Sequence, residues 1–173
     1  MGRSLTLLVA ALLPLVTTPV HAQAPSVVVN GVQLDAGVVR TLEQHYGTRI
    51  QNGRYWYDNV SGLWGFEGGP TAGRMYPGLR LGGPLRPDAS RSNTGVFVNG
   101  RDIHPQERAF LQQCFGYVNR AHYWLNAQGI GGYDRGPAQF DLTRCFASEQ
   151  GGGRRESLLG GYFLTGVSVI GGR

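Results

Sequence analysis

Two acids of the sequence stand in matching settings: Glu67 precedes Gly68-Gly69-Pro70, and Asp134 precedes Arg135-Gly136-Pro137. If a symmetric fold brought the two carboxyls within hydrogen-bonding distance, they would share one proton, the arrangement that acid–base hydrolysis uses. An acid beside a Gly-Pro step also accepts from turn amides, and the Asp-Thr-Gly signature of aspartic proteases is absent. No residue is assigned as catalytic on these grounds. Glu67 and Asp134 are the candidates of an alternative reading, a small secreted hydrolase with paired carboxylates.

The remaining chemistry is narrow. The sixteen Lys and Arg positions are all Arg, and a chain without Lys has no P-loop lysine, no Schiff base to pyridoxal phosphate and no Ser-Lys dyad. His45, His104 and His122 lack ligand spacing, so no metal is expected, and no other cofactor is implied. Gly166-Val167-Ser168-Val169-Ile170 lacks the final Gly of a nucleophile elbow and reads as a strand. Cys114 and Cys145, the two cysteines, read as a structural disulfide, which closes a loop of about 30 residues and contributes on the order of 3 to 4 kcal/mol.

What positions these residues is an internal repeat. Val27-Val28-Val29-Asn30-Gly31 is answered by Val96-Phe97-Val98-Asn99-Gly100, and the same spacing pairs Leu42 with Leu111, Gln44 with Gln113 and Gly47 with Gly116. After two single deletions Tyr55-Trp56 meets Tyr123-Trp124, Asp58 meets Asn126, and Gly62, Gly65, Gly69 and Pro70 meet Gly129, Gly132, Gly136 and Pro137. Asn-Gly between β-branched residues predicts a hairpin. A helix is expected over 35–46 and 104–115, capped by Asp35 and closed by Gly47 or Gly116. An aromatic hairpin follows, 54–67 and 122–134. The expected fold is α+β: two tandem hairpin-helix-hairpin units with antiparallel sheet, related by a pseudo-two-fold. The boundaries are 1–22 for a signal peptide, 23–73 and 95–140 for the units, 74–94 for a Gly/Pro/Arg-rich connector and 141–173 for a C-terminal segment with closing strands.

A duplication is its own control, since a residue kept in both copies serves the fold. Trp56 and Trp124 are kept and read as core anchors. Trp64 faces Gly131 in the repeat, so the unit is expected to fold without that indole. Trp64, with Tyr57 and Tyr76, is therefore the candidate ligand-binding surface, exposed for stacking on a sugar or base.

The N-terminus supplies the setting. Arg3, an apolar run over 5–16 and the small-residue end Val20-His21-Ala22 predict a secretory signal peptide cleaved near Ala22. The run is too short to span a bilayer, as is the glycine-broken apolar stretch 158–170. The remaining 150 or so residues suffice for one compact domain burying roughly 70% of its surface. The formal net charge is +5, and Arg suits bidentate contact with carboxylates or phosphates. Tyr55-Trp56-Tyr57-Asp58 with the later Gly68-Gly69-Pro70 resembles, in composition alone, aromatic cell-wall-binding repeats. The expected protein is thus a secreted or periplasmic, non-enzymatic binding or structural module of the bacterial envelope or an extracellular polymer. Its expected partners are acidic or neutral polysaccharide or another envelope component, with nucleic acid a lesser alternative.

Overall fold

A computed structural model describes residues 26–147; the expected signal peptide and the expected closing strands at 158–170 lie outside them. Two five-stranded mixed sheets with few helices make an α+β fold that is mostly sheet. The first contains β1 (Val27–Val29), β2 (Val32–Gln33), β3 (Gly53–Tyr57), β4 (Leu63–Phe66) and β5 (Thr71–Arg74), in the order β2-β1-β3-β4-β5. The second contains β6 (Phe97–Val98), β7 (Arg101–Asp102), β8 (His122–Leu125), β9 (Ile130–Tyr133) and β10 (Phe140–Asp141), in the order β10-β9-β8-β6-β7. Helix α1 (Ala36–Tyr46) lies between β2 and β3, α2 (Pro105–Phe115) between β7 and β8, and the short α3 (Thr143–Ala147) follows β10.

The helix ends follow from local chemistry. Asp35 accepts from the Gly37 amide, and Gly47 closes α1 in the left-handed region at φ 66°. His104 caps α2 through its ring, while Glu107 reaches back to the His104 amide and Pro105 occupies the first turn, a capping box with a preset φ.

The expectation of a purely antiparallel sheet is corrected. β3 returns beside β1 and runs parallel to it, Val29 opposite Tyr55, as β8 does beside β6, Val98 opposite Tyr123. A parallel pair needs a crossover of about a dozen residues, and each eleven-residue helix with its flanks provides it. The Asn-Gly turns do more than reverse the chain. Asn30 and Asn99 take left-handed φ, 47° and 49°. The Asn30 carboxamide accepts from the Tyr57 amide and donates to its carbonyl, and Asn99 does the same at Leu125. Each side chain thus adds a rung to the parallel ladder after the strand has turned away.

The first sheet lays Tyr55, Tyr57 and Trp64 against α1 in a core with Val27, Val29, Leu34, Val39 and Ile50. Its opposite face carries Trp56 and Leu63, which join Leu125, Leu142 and Cys145 of the second half. Trp56 lies against Gly65, where a Cβ would come within 2.7 Å of the indole. The connector is ordered and works as a seam. Gly68 donates to the Ala89 carbonyl and Asp102 to that of Pro87, so residues 87–89 tie the first sheet to β7.

Candidate functional site

Trp64 is 6% exposed and Tyr57 2%. The expected exposed stacking surface is corrected, because the indole lies across Gly73 of β5 and edge-on to Tyr55, between sheet and helix. Its Nε1 is buried without a hydrogen-bond acceptor, so packing alone holds the ring. Tyr57 donates to the Tyr76 carbonyl, and burial foremost pushes its phenol up to about 12. Tyr76 alone of the three is exposed, its ring tilted against His45 and Tyr46.

The unit does not dispense with a ring at this place. Trp64 pairs with Gly73 across β4 and β5, whereas Gly131 pairs with Phe140 across β9 and β10. A Cβ on Gly73 would strike the Trp64 indole and one on Gly131 the Phe140 phenyl, at 2.7 and 2.3 Å. Ring and glycine have changed strands, and aligning Trp64 with Gly131 alone hid the exchange.

Glu67 pairs with Arg54, and Asp134, with 62% of its side chain exposed, lies 3.9 Å from Arg135. Neither bonds to the other among the described residues. Asp58 and Asn126 take their turn roles, accepting from the amides of Val60 and Gln128. Cys114 and Cys145 form a disulfide that ties α3 to α2, Cα atoms 5.5 Å apart.

A buried ionic group that the sequence did not announce sits where the halves meet. The Arg101 guanidinium lies 3.8 Å over the Trp56 ring and bonds through both terminal nitrogens to Glu107. Thr71 of the first sheet donates to the same carboxylate, and Ser90 of the connector accepts from Arg101. Burial opposes ionisation of Glu107, but the charge and hydrogen bonds of Arg101, with those of Thr71 and the His104 amide, outweigh it and hold the carboxyl below its ordinary value. Asn99 adds a bond to Asp58 across the same junction.

An apolar cleft of about 230 Å³ lies between α2 and the second sheet, walled by Val96, Val98, Leu111, Val118, Tyr123 and Phe140; a wider, more polar hollow of about 430 Å³ lies at the end of α1 beside Arg40, Glu43 and Arg49. Phe115, Tyr117 and Tyr133 stand at the rim of the apolar cleft, Tyr117 73% exposed. Asn119 donates to the Tyr133 hydroxyl and accepts from that of Tyr123; burial first, then Tyr133, pushes the Tyr123 phenol up to about 12. The same place in the first half retains about 30 Å³, because Trp64, Met75 and Leu81 occupy it. Apolar walls with a few convergent polar groups are what binding sites present.

The fold and this cleft define an α+β protein with an apolar groove under a crossover helix. Comparison with known proteins then narrows the setting. The chain is 42% identical over 112 residues, 61% of its length, to the extra-large guanine nucleotide-binding protein 1 of Arabidopsis thaliana. It is 30% identical over 115 residues, 62% of its length, to extra-large guanine nucleotide-binding protein 2 of the same plant. These regions span 12% and 13% of those relatives, about an eighth of their length. No family model matches the chain, and no solved structure matches it.

These likenesses overturn the reading of a secreted binding or structural module of an envelope polymer, and the secreted hydrolase with it. The polysaccharide and envelope partners, and the secreted or periplasmic setting, fall on the same finding: the relatives are named as guanine nucleotide-binding proteins. The sequence misled because aromatic rings and Arg suit many partners, and the ring taken for a polymer platform is a core residue.

Proposed function

We propose that this chain is an interaction module of the kind that accompanies guanine nucleotide-binding proteins, built from two copies of one α+β unit, residues 23–73 and 95–140, joined head to tail by the connector 74–94. The observation that carries the reading is the cleft under α2. The same groove is filled in the first unit and open in the second, with three aromatic rings at its rim. Binding the nucleotide itself does not fit these residues. The chain has no P-loop lysine, and the N-terminal amides of α1 and α2 are met by the carboxylates of Asp35, the cap of α1, and Glu107, in the first turn of α2, which repel an anion where a helix would otherwise attract one. The nucleotide is therefore assigned to the partner.

Two titrations of the purified chain test this. A fluorescent GTP analogue with Mg²⁺ is expected to give no saturable signal. The nucleotide-binding remainder of extra-large guanine nucleotide-binding protein 1, lacking its matched segment, is expected to bind, and Tyr117→Ala is expected to weaken that binding. Saturation by the analogue, or no binding of the remainder in either its GDP or its GTP form, would overturn the proposal.

A further inference from the structure

We infer that the outer face of the second sheet docks an arginine of a partner protein, its guanidinium stacking on Trp124 and reaching Asp134 and Asp141. This face is not the cleft, so the inference goes beyond the reading above.

The molecule shows what such a face takes. α1 packs on one side of the first sheet, and the other side, with Trp56 and Leu63, meets α2 and Leu125 of the second sheet. Tyr123, Tyr133 and Phe140 line the cleft under α2, so the residues that alternate with them, Trp124, Ile130 and Asp141, lie on the far side. The stack thus ends in a sheet face. The two tryptophans sit alike on their sheets. Trp56 pairs with Gly65 and Trp124 with Gly132, and the indole N–H groups donate to the Gly69 and Gly136 carbonyls. Trp56 is sealed by the Arg101 guanidinium at 3.8 Å. Trp124 is half-buried, belongs to none of the three apolar clusters, and among the described residues has no cation over it. Of the aromatic side chains an indole attracts a guanidinium most strongly.

Charge separates the two faces and favours a cation at the second. At Trp56 the carboxylate arrives with the arginine: Glu107 pairs with Arg101 and accepts from Thr71. Pro70 and Pro137 back Gly65 and Gly132 alike, and the residue after each is Thr71 in one half and Ala138 in the other. No hydroxyl therefore waits at the second face for an incoming carboxylate; the face holds carboxylates of its own. Asp134 donates its amide to the His122 carbonyl as Glu67 does to that of Arg54. The Arg54 side chain neutralises Glu67, whereas the His122 ring stacks on Phe97 at 4.4 Å. Asp134 has only Arg135 at 3.9 Å and Asp141 has Arg144 at 3.7 Å, with 94% and 86% of those arginine side chains exposed. Pairs so open to water contribute little and leave both carboxylates able to accept from a guanidinium held on the ring.

The test uses the full chain, ¹⁵N-labelled, and the blocked pentapeptide Gly-Ser-Arg-Ser-Gly with its lysine and leucine analogues. The arginine peptide is expected to shift the Trp124 indole N–H and the Ile130 and Gly132 amides to saturation. The lysine peptide should bind about fivefold more weakly, and the leucine peptide should leave these signals unmoved. Asp134→Asn, at an exposed position, should weaken the arginine peptide about threefold without changing the melting temperature, and Trp124→Leu should abolish the shifts at Ile130 and Gly132. Tyr117→Ala, at the cleft, should leave this binding as it is. Equal binding by the lysine or leucine peptide, or shifts confined to the cleft, would overturn the inference. So would a Trp124 indole signal that, without peptide, moves with protein concentration or on Arg154→Gln with Arg155→Gln, since a second copy or the chain's own arginines would then cover the ring. Failure of the nucleotide-binding remainder to bind would remove the module reading and leave this face untouched.

Discussion

At the scale of the residue, the exchange between Trp64 and Gly73 in one half and Gly131 and Phe140 in the other makes a sharp prediction. Trp64→Gly opens a cavity and is expected to cost about 3 to 5 kcal/mol, as losing a buried Trp does. Reading Trp64 as dispensable implied a small cost. Adding Gly73→Phe copies the second half, and thermal melts of the double variant should recover a large part of the loss, a coupling that independent sites do not show. If the two changes merely add, Phe140 is no substitute for the indole. The roles of Asp35, Gly47 and the cysteines were legible because each acts within a turn or through a pairing that two residues alone can make. Asn30 was legible only as a turn former. Its bonds to Tyr57 depend on β3 arriving parallel to β1, which no local pattern states.

At the scale of the element, both long helices start and stop within a residue of where spacing and caps put them. The strands that were missed, β5 and β10, are short and glycine-bearing or isolated by Pro, and pairing with β4 and β9 defines them. Helix α2 shows how an end becomes a junction. Glu107 caps it, pairs with Arg101 of β7 and accepts from Thr71 of the first sheet. Because its folded pKa is lowered, its contribution is complete above its unfolded value of about 4.3 and is lost as pH falls through the folded value. Glu107→Gln leaves Arg101 buried and unpaired and should cost about 3 to 5 kcal/mol near neutral pH. Melting curves should show the gap from the parent protein narrowing as pH drops below about 4. A gap constant down to pH 3 would mean that the carboxylate is not what holds the junction.

At the scale of the whole molecule, the sequence pointed to an α+β fold with two similar stretches, but not to how the two five-stranded sheets meet. A pseudo-two-fold would set like residues against like. Instead Trp56, Leu63 and Thr71 of one half meet Arg101, Glu107 and Leu125 of the other. The counterparts of Arg101 and Glu107 are Val32 and Val38, 49% and 39% exposed, and the counterpart of Trp56 is Trp124, half-buried. Unlike faces in contact leave one plug and one receptacle free, and such contacts propagate into fibres unless something stops them. The stop is written in charge. A valine pair cannot supply the cation that covers the tryptophan or the carboxylate that meets the threonine, so the junction closes once. Installing that grammar at the free end, with Val32→Arg, Val38→Glu and Ala138→Thr, is expected to yield concentration-dependent oligomers by sedimentation velocity, while the parent keeps one sedimentation coefficient. A variant that stays as the parent would show that a terminus here needs no guarding. Val32 and Val38 thus act as a full stop: among the described residues, the first half lacks the letters with which the second is joined.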